Sequence, residues 1–180
     1  GLIIDDSGSI GSGMSSVIAG AQAFVDAFAG TPIKIQVVRF DTTASVVGES
    51  PRTRYYDMLV ESDVTALRSA LGSLVANSST NWEDALHRMF YASDGTVLSV
   101  LPDTVLFFTD GEPTVSRIDS TSSSSAPKDP PARQTELVTS GTSSYDQEAF
   151  NRPKYIVDQF RSSEDFIGDK LSTPLEPLKK

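Results

Sequence analysis

The chain contains no cysteine. That excludes disulfide cross-links, thiolate metal sites and a cysteine nucleophile. Basic charge is also scarce: 15 Lys plus Arg stand against 24 Asp plus Glu, a formal charge of −9. Nucleic acid is thereby excluded as the main partner, because phosphate binding needs clustered basic residues. No apolar run approaches the ~20 residues that span a bilayer. No charged segment of a signal peptide precedes the first apolar residues either. Gly1 leads straight into Leu2-Ile3-Ile4, which reads as a buried strand. The expectation is therefore one domain over residues 1–180, truncated at its N-terminus. The length suits a single domain and can bury a full core. The 38% apolar content is that of a folded chain.

Hydrophobic spacing then sets out the elements. Met14, Val17, Ile18, Ala21, Phe24, Val25 and Phe28 recur at steps of three and four, one face of a helix that ends at Gly30-Thr31-Pro32. Ile33, Ile35, Val37 and Phe40 predict a strand, and residues 44–47 an edge strand after the Asp41-Thr42-Thr43 turn. Asp63 is the expected N-cap of a helix carrying Val64, Leu67, Leu71, Leu74 and Val75. Asn81 is the expected cap of the next, with Glu83 and Asp84 in its first turn and Ala85, Leu86, Met89 and Phe90 buried. His87, the only histidine, is expected at the surface or boundary of that helix. Trp82 is expected to pack at the helix start. Residues 104–108 form a continuous β-forming run that reads as a central strand buried on both faces. Strands alternating with helices predict an α/β fold: a doubly wound, mostly parallel central sheet with helices on both faces.

From about residue 113 to 146 the text becomes rich in Ser, Thr and Pro and loses periodicity, as in a long loop or insertion. A last helix carries Tyr155, Ile156, Val157 and Phe160, with Pro153 expected near its first turn. The α/β pattern then calls for another strand. Only Phe166-Ile167 is present before a capping box at Thr173-Pro174-Leu175-Glu176, so residues are expected to be missing near 163–164.

Three oxygen-rich segments carry the chemistry. Asp5-Asp6-Ser7-Gly8-Ser9 follows the first strand, Thr80-Asn81 opens a helix, and Thr109-Asp110-Gly111 follows the 104–108 strand. Open parallel sheets bind ligands outside the carboxyl ends of their strands, and two of these segments are such ends. Two carboxylates and three hydroxyls, with no nitrogen or sulfur, suit Mg²⁺, Mn²⁺ or Ca²⁺. Two carboxylates also leave such an ion under-neutralised, so an external acidic group can fill an open position.

In this order, and with helices between them, these segments resemble the metal-ion-dependent adhesion site of von Willebrand factor type A domains, the family that includes integrin I domains. The resemblance runs from residue 2 to about 112 and resumes weakly near 153–162. It implies a Rossmann-like fold. It further implies that Ser7 and Ser9 are direct hydroxyl ligands, and that Asp5 and Asp110 are carboxylates bound directly or through water. Thr80 is implied as a ligand whose contact depends on the state of the domain. The implied partner is a protein that offers an Asp or Glu to the metal. The serine-rich insertion is similar to those of bacterial surface and pilus-tip adhesins of the family, which implies an extracellular, cell-surface binding module rather than an enzyme. Two rival readings stand beside it. One is an intracellular scaffold of the same family working with an ATPase. The other is a Mg²⁺-dependent phosphatase-like hydrolase, but that chemistry wants Asp-x-Asp where Ser7 stands.

Overall fold

A computed structural model describes residues 1–48, 55–92, 95–114, 116–118, 136–138 and 147–161. The first strand, β1 (Leu2–Asp5), is buried throughout. A 3₁₀ segment, Gly8–Gly13, leads into α1 (Met14–Phe28). Then come β2 (Lys34–Ile35), β3 (Val37–Phe40), β4 (Ala44–Val46), β5 (Tyr56–Asp57), α2 (Glu61–Leu71), α3 (Trp82–Phe90) and β6 (Leu106–Phe108). Last are β7 (Ser116–Ile118), β8 (Glu136–Val138) and α4 (Gln147–Arg161).

The central sheet has the order β4-β3-β1-β6. β1 runs parallel to both β3 and β6, while β4 closes one edge antiparallel to β3. Side chains alternate across a strand, so the two faces collect different residues. Leu2, Ile4 and Val37 join Val25, Leu67 and Leu71 of α1 and α2 in one core. Ile3, Val38 and Phe40 join Ala85, Met89, Ile156 and Phe160 of α3 and α4 in the other. The fold is therefore α/β, with a mostly parallel sheet and helices on both faces, as its periodicity requires. From β1 the chain winds outward to β3, then returns to β6 on β1's other side. In open α/β sheets such a reversal is where a binding crevice forms, here beyond the carboxyl ends of β1 and β6.

Several elements differ from expectation. Residues 33–40 do not form one strand: β2 pairs with β5, β3 joins the main sheet, and fully buried Gln36 lies between them. The residue before α2 is Val60 rather than Asp63. Asp63 sits in the first turn, where its carboxylate accepts a bond from Asp57 N at 3.0 Å. Val75 is 70% exposed rather than core, because α2 ends at Leu71 and the helical period no longer applies. His87 is buried rather than at the surface and stacks on Tyr91, whose ring, like that of Phe90, packs against Phe160 of α4. Trp82 packs edge-on against Phe107, as expected. Pro153 lies seven residues into α4 rather than in its first turn. The 113–146 stretch is not loop alone, because β7 and β8 pair antiparallel within it. The expected gap near 163–164 and the capping box at 173–176 lie outside the described residues.

The largest difference concerns β6. Phe107 is packed against Phe40 and Trp82. Leu106 and Phe108, in register with Leu2 and Ile4, are 38% and 52% exposed. Among the described residues β6 has β1 as its only sheet neighbour, so it is an edge strand buried on one face.

Candidate metal centre

β1 delivers Asp5 to the crevice, and its carboxylate is held at both ends. Ser7 N donates to Asp5 Oδ1 at 2.8 Å, and Thr109 Oγ1 donates to Asp5 Oδ2 at 2.6 Å. Each oxygen keeps a second lone pair for another bond. Ser7 Oγ lies 3.0 Å from Ser9 Oγ, and Ser9 Oγ donates to Asp110 Oδ1 at 2.9 Å. Three of the five expected residues thus form one chain of oxygens spanning the β1 and β6 loops, and Asp5 lies beside it, tied to Ser7 through the Ser7 backbone nitrogen. Asp5 and Ser7 are buried at its floor, whereas Ser9 and Asp110 are exposed at its mouth.

Thr80, the fifth expected residue, lies on a separately anchored loop that meets the β1 loop through Ser78, and among the described residues no hydrogen bond joins its hydroxyl to that chain of oxygens. Ser78 adopts a left-handed φ of 60°. Its carbonyl accepts a bond from Gly8 N at 3.0 Å. A Cβ on Gly8 would lie 2.9 Å from that carbonyl oxygen, so this close approach requires glycine. Thr80 N donates to Thr114 Oγ1 at 2.9 Å, and Thr80 O accepts from Thr114 N at 2.8 Å. Thr80 is buried. Asn81 caps α3 as expected, accepting from Asp84 N at 3.0 Å, and its amide donates to Thr42 O at 3.0 Å. Thr42 Oγ1 and Ser78 Oγ stand 2.5 Å apart. The β3–β4 turn is thereby tied to the loop that carries Thr80.

Asp6 points away from this chain of oxygens into an ion pair. Its Oδ2 accepts from Arg39 Nη1 at 2.9 Å, and the same guanidinium lies 3.8 Å from Asp41 Oδ2. Asp6 is almost wholly buried. Burial pushes its carboxyl above the usual range, and the hydrogen bond from Arg39 opposes that rise.

The donor set fits a small hard cation. Neighbouring ligands on an octahedron with Mg²⁺–O bonds of about 2.0–2.1 Å are about 2.9 Å apart. The spacings from Ser7 to Ser9 and from Ser9 to Asp110 match that edge. Among the described residues no group of three or more His, Cys, Asp or Glu is arranged to hold a metal. A cation held here would need serine hydroxyls alongside Asp5 and Asp110.

Three contributors escaped the sequence reading as individuals. Thr109 orients Asp5, and its signal was its place directly before Asp110. Thr114 anchors the Thr80 backbone through its hydroxyl and its N–H, a contact 34 residues apart for which a sequence gives no sign. Arg39 was legible only as a lone charge in the apolar text Val37-Val38-Arg39-Phe40.

No family model matches the chain, and no curated protein matches it. Among solved structures it is similar to a von Willebrand factor type A protein from Catenulispora acidiphila. That match has 24% identity and a TM-score of 0.42, over 47% of this chain and 20% of that one. It is also similar to the vWF domain of the type V pili tip protein Mfa5 from Porphyromonas gingivalis. There the identity is 19% and the TM-score 0.48, over 67% of this chain and 40% of that one. A three-domain structure of the same tip protein matches at 21% identity and a TM-score of 0.38, over 47% of this chain and 15% of that one. The chain thus spans less than half the length of each of these neighbours, which include von Willebrand factor type A domains.

Proposed function

We propose that the crevice is a Mg²⁺ site, also open to Mn²⁺ or Ca²⁺, held by Asp5, Ser7, Ser9, Thr80 and Asp110. Its function in this reading is to bind a protein partner through that partner's Asp or Glu. The observation that carries it is the continuous run of oxygens from Ser7 through Ser9 to Asp110, spaced as ligands on one ion and open to solvent at one end. A bound divalent cation would supply a Lewis-acidic position for an external carboxylate. The chain's own residues do the positioning. Thr109 and Ser7 N fix the rotation of Asp5. Gly8 allows the Thr80 loop to close on the β1 loop. Ser9 and Asp110 present oxygens at the exposed rim.

The reading is one of binding rather than turnover. The sole histidine is stacked on Tyr91 and does not belong to the chain of oxygens. The phosphatase alternative needs a second carboxylate where Ser7 stands. The setting we propose is an adhesin at a bacterial cell surface, the class that the sequence motif and the Ser-rich insertion resemble. The test is surface plasmon resonance of an acidic-peptide library over the immobilised protein. Binding should require Mg²⁺ or Mn²⁺, vanish with EDTA, be lost in Ser7→Ala and be weakened in Asp110→Ala. Binding indifferent to chelation overturns the reading.

A further inference from the structure

We propose that Arg39 is a positioning residue that sets cation affinity by cancelling the charge of Asp6; this rests on the metal reading above. Three observations meet here. Asp6 directly follows Asp5, is 1% exposed, and is fixed by Asp6 N to Phe40 O at 2.9 Å and by Asn77 N to Asp6 O at 2.8 Å. One carboxylate oxygen, Oδ2, accepts from Arg39, while Oδ1 has no partner among the described residues. Arg39 itself lies opposite Ile4 in register, on a sheet face that Leu2, Ile4 and Val37 otherwise make apolar. A charge placed there has its compensating partner in Asp6, with Asp41 at 3.8 Å as the other carboxylate the guanidinium reaches.

The consequence is electrostatic. Without Arg39, the β1 turn would present two adjacent uncompensated carboxylates, Asp5 and Asp6. With it, Asp6 is neutralised in place and an ion at the crevice meets the net charge of Asp5 and Asp110. The pair also links the β1 turn to the β3–β4 turn, which holds the Thr80 loop through Thr42 and Asn81. A purely mechanical role and a charge role predict different signs, so a double-variant square that neutralises each charge separates them.

The experiment is calorimetric titration of Mn²⁺ alone into wild type, Arg39→Met, Asp6→Asn, the double variant and Arg39→Lys. Arg39→Met should bind Mn²⁺ on the order of tenfold tighter, because the ion gains an uncompensated anion nearby. Asp6→Asn should bind on the order of tenfold weaker, because the guanidinium is left unbalanced. The double variant and Arg39→Lys should return to within about threefold of wild type. Should Arg39→Met fail to fold, the Asp6→Asn loss and its recovery in the double variant carry the same test. Equal weakening in both single variants would overturn the charge role, as would unchanged affinity. A wild type that binds no Mn²⁺ overturns the metal reading itself, and this inference with it.

Discussion

β1 and β6 end in the same crevice, and both are short apolar strands. They are packed very differently. Leu2, Ile3 and Ile4 are at most 1% exposed, held between two parallel neighbours and between two helical layers. In β6, Leu106 and Phe108 are 38% and 52% exposed, and only Phe107 is packed in a core. The difference teaches that the two carboxylates of the site rest on unequal supports. Asp5 is buried on a central strand and oriented at both oxygens. Asp110 is exposed after an edge strand and meets the cluster through Ser9 alone among the described contacts.

That inequality can be broken or sharpened experimentally, beginning with the largest effect. Asp5→Ala should weaken Mn²⁺ binding by more than about 100-fold, whereas Asp110→Ala should cost roughly tenfold, both measured calorimetrically. Equal losses would mean that the difference in support has no bearing on the site. In urea denaturation, Ile4→Ala should destabilise the domain by about 2–4 kcal/mol, because a fully buried side chain leaves a cavity between β1 and the α1–α2 layer. Asn81→Ala should cost about 1–2 kcal/mol. It removes the α3 cap and the amide bond to Thr42 O together. Phe108→Ala should cost less than about 1 kcal/mol despite its larger side chain, because half of the ring is already in water. A Phe108 loss as large as that of Ile4 would show that β6 is covered in solution.

How much of this was legible in the text depends on what each signal measures. The α1 face, the α3 cap and its buried residues were readable, because helical period and Asn capping are local. The run at 104–108 was readable as a strand but not as an edge. Its composition records that the strand can be buried, while its exposure is decided by which elements pack beside it. His87 shows the same limit, since it stacks on Tyr91, which is itself packed against Phe160 of α4, about seventy residues away. That Asp5, Ser7, Ser9 and Asp110 lie together was legible because strand ends converge in an open parallel sheet. Thr114 was not, because its hydroxyl and N–H bond the Thr80 backbone only once the fold brings the two segments together. Arg39 was visible as a letter but had no meaning until β3 was placed beside β1, where it meets Asp6.

The central claim is that these loops form a single hard-cation site. Electron paramagnetic resonance of Mn²⁺ titrated into the metal-stripped protein tests it most directly. The account predicts one bound Mn²⁺ per chain, displaced by Mg²⁺, and none in the Asp5→Ala/Asp110→Ala double variant. Free Mn²⁺ signal throughout the wild-type titration would contradict it, and so would full binding in the double variant.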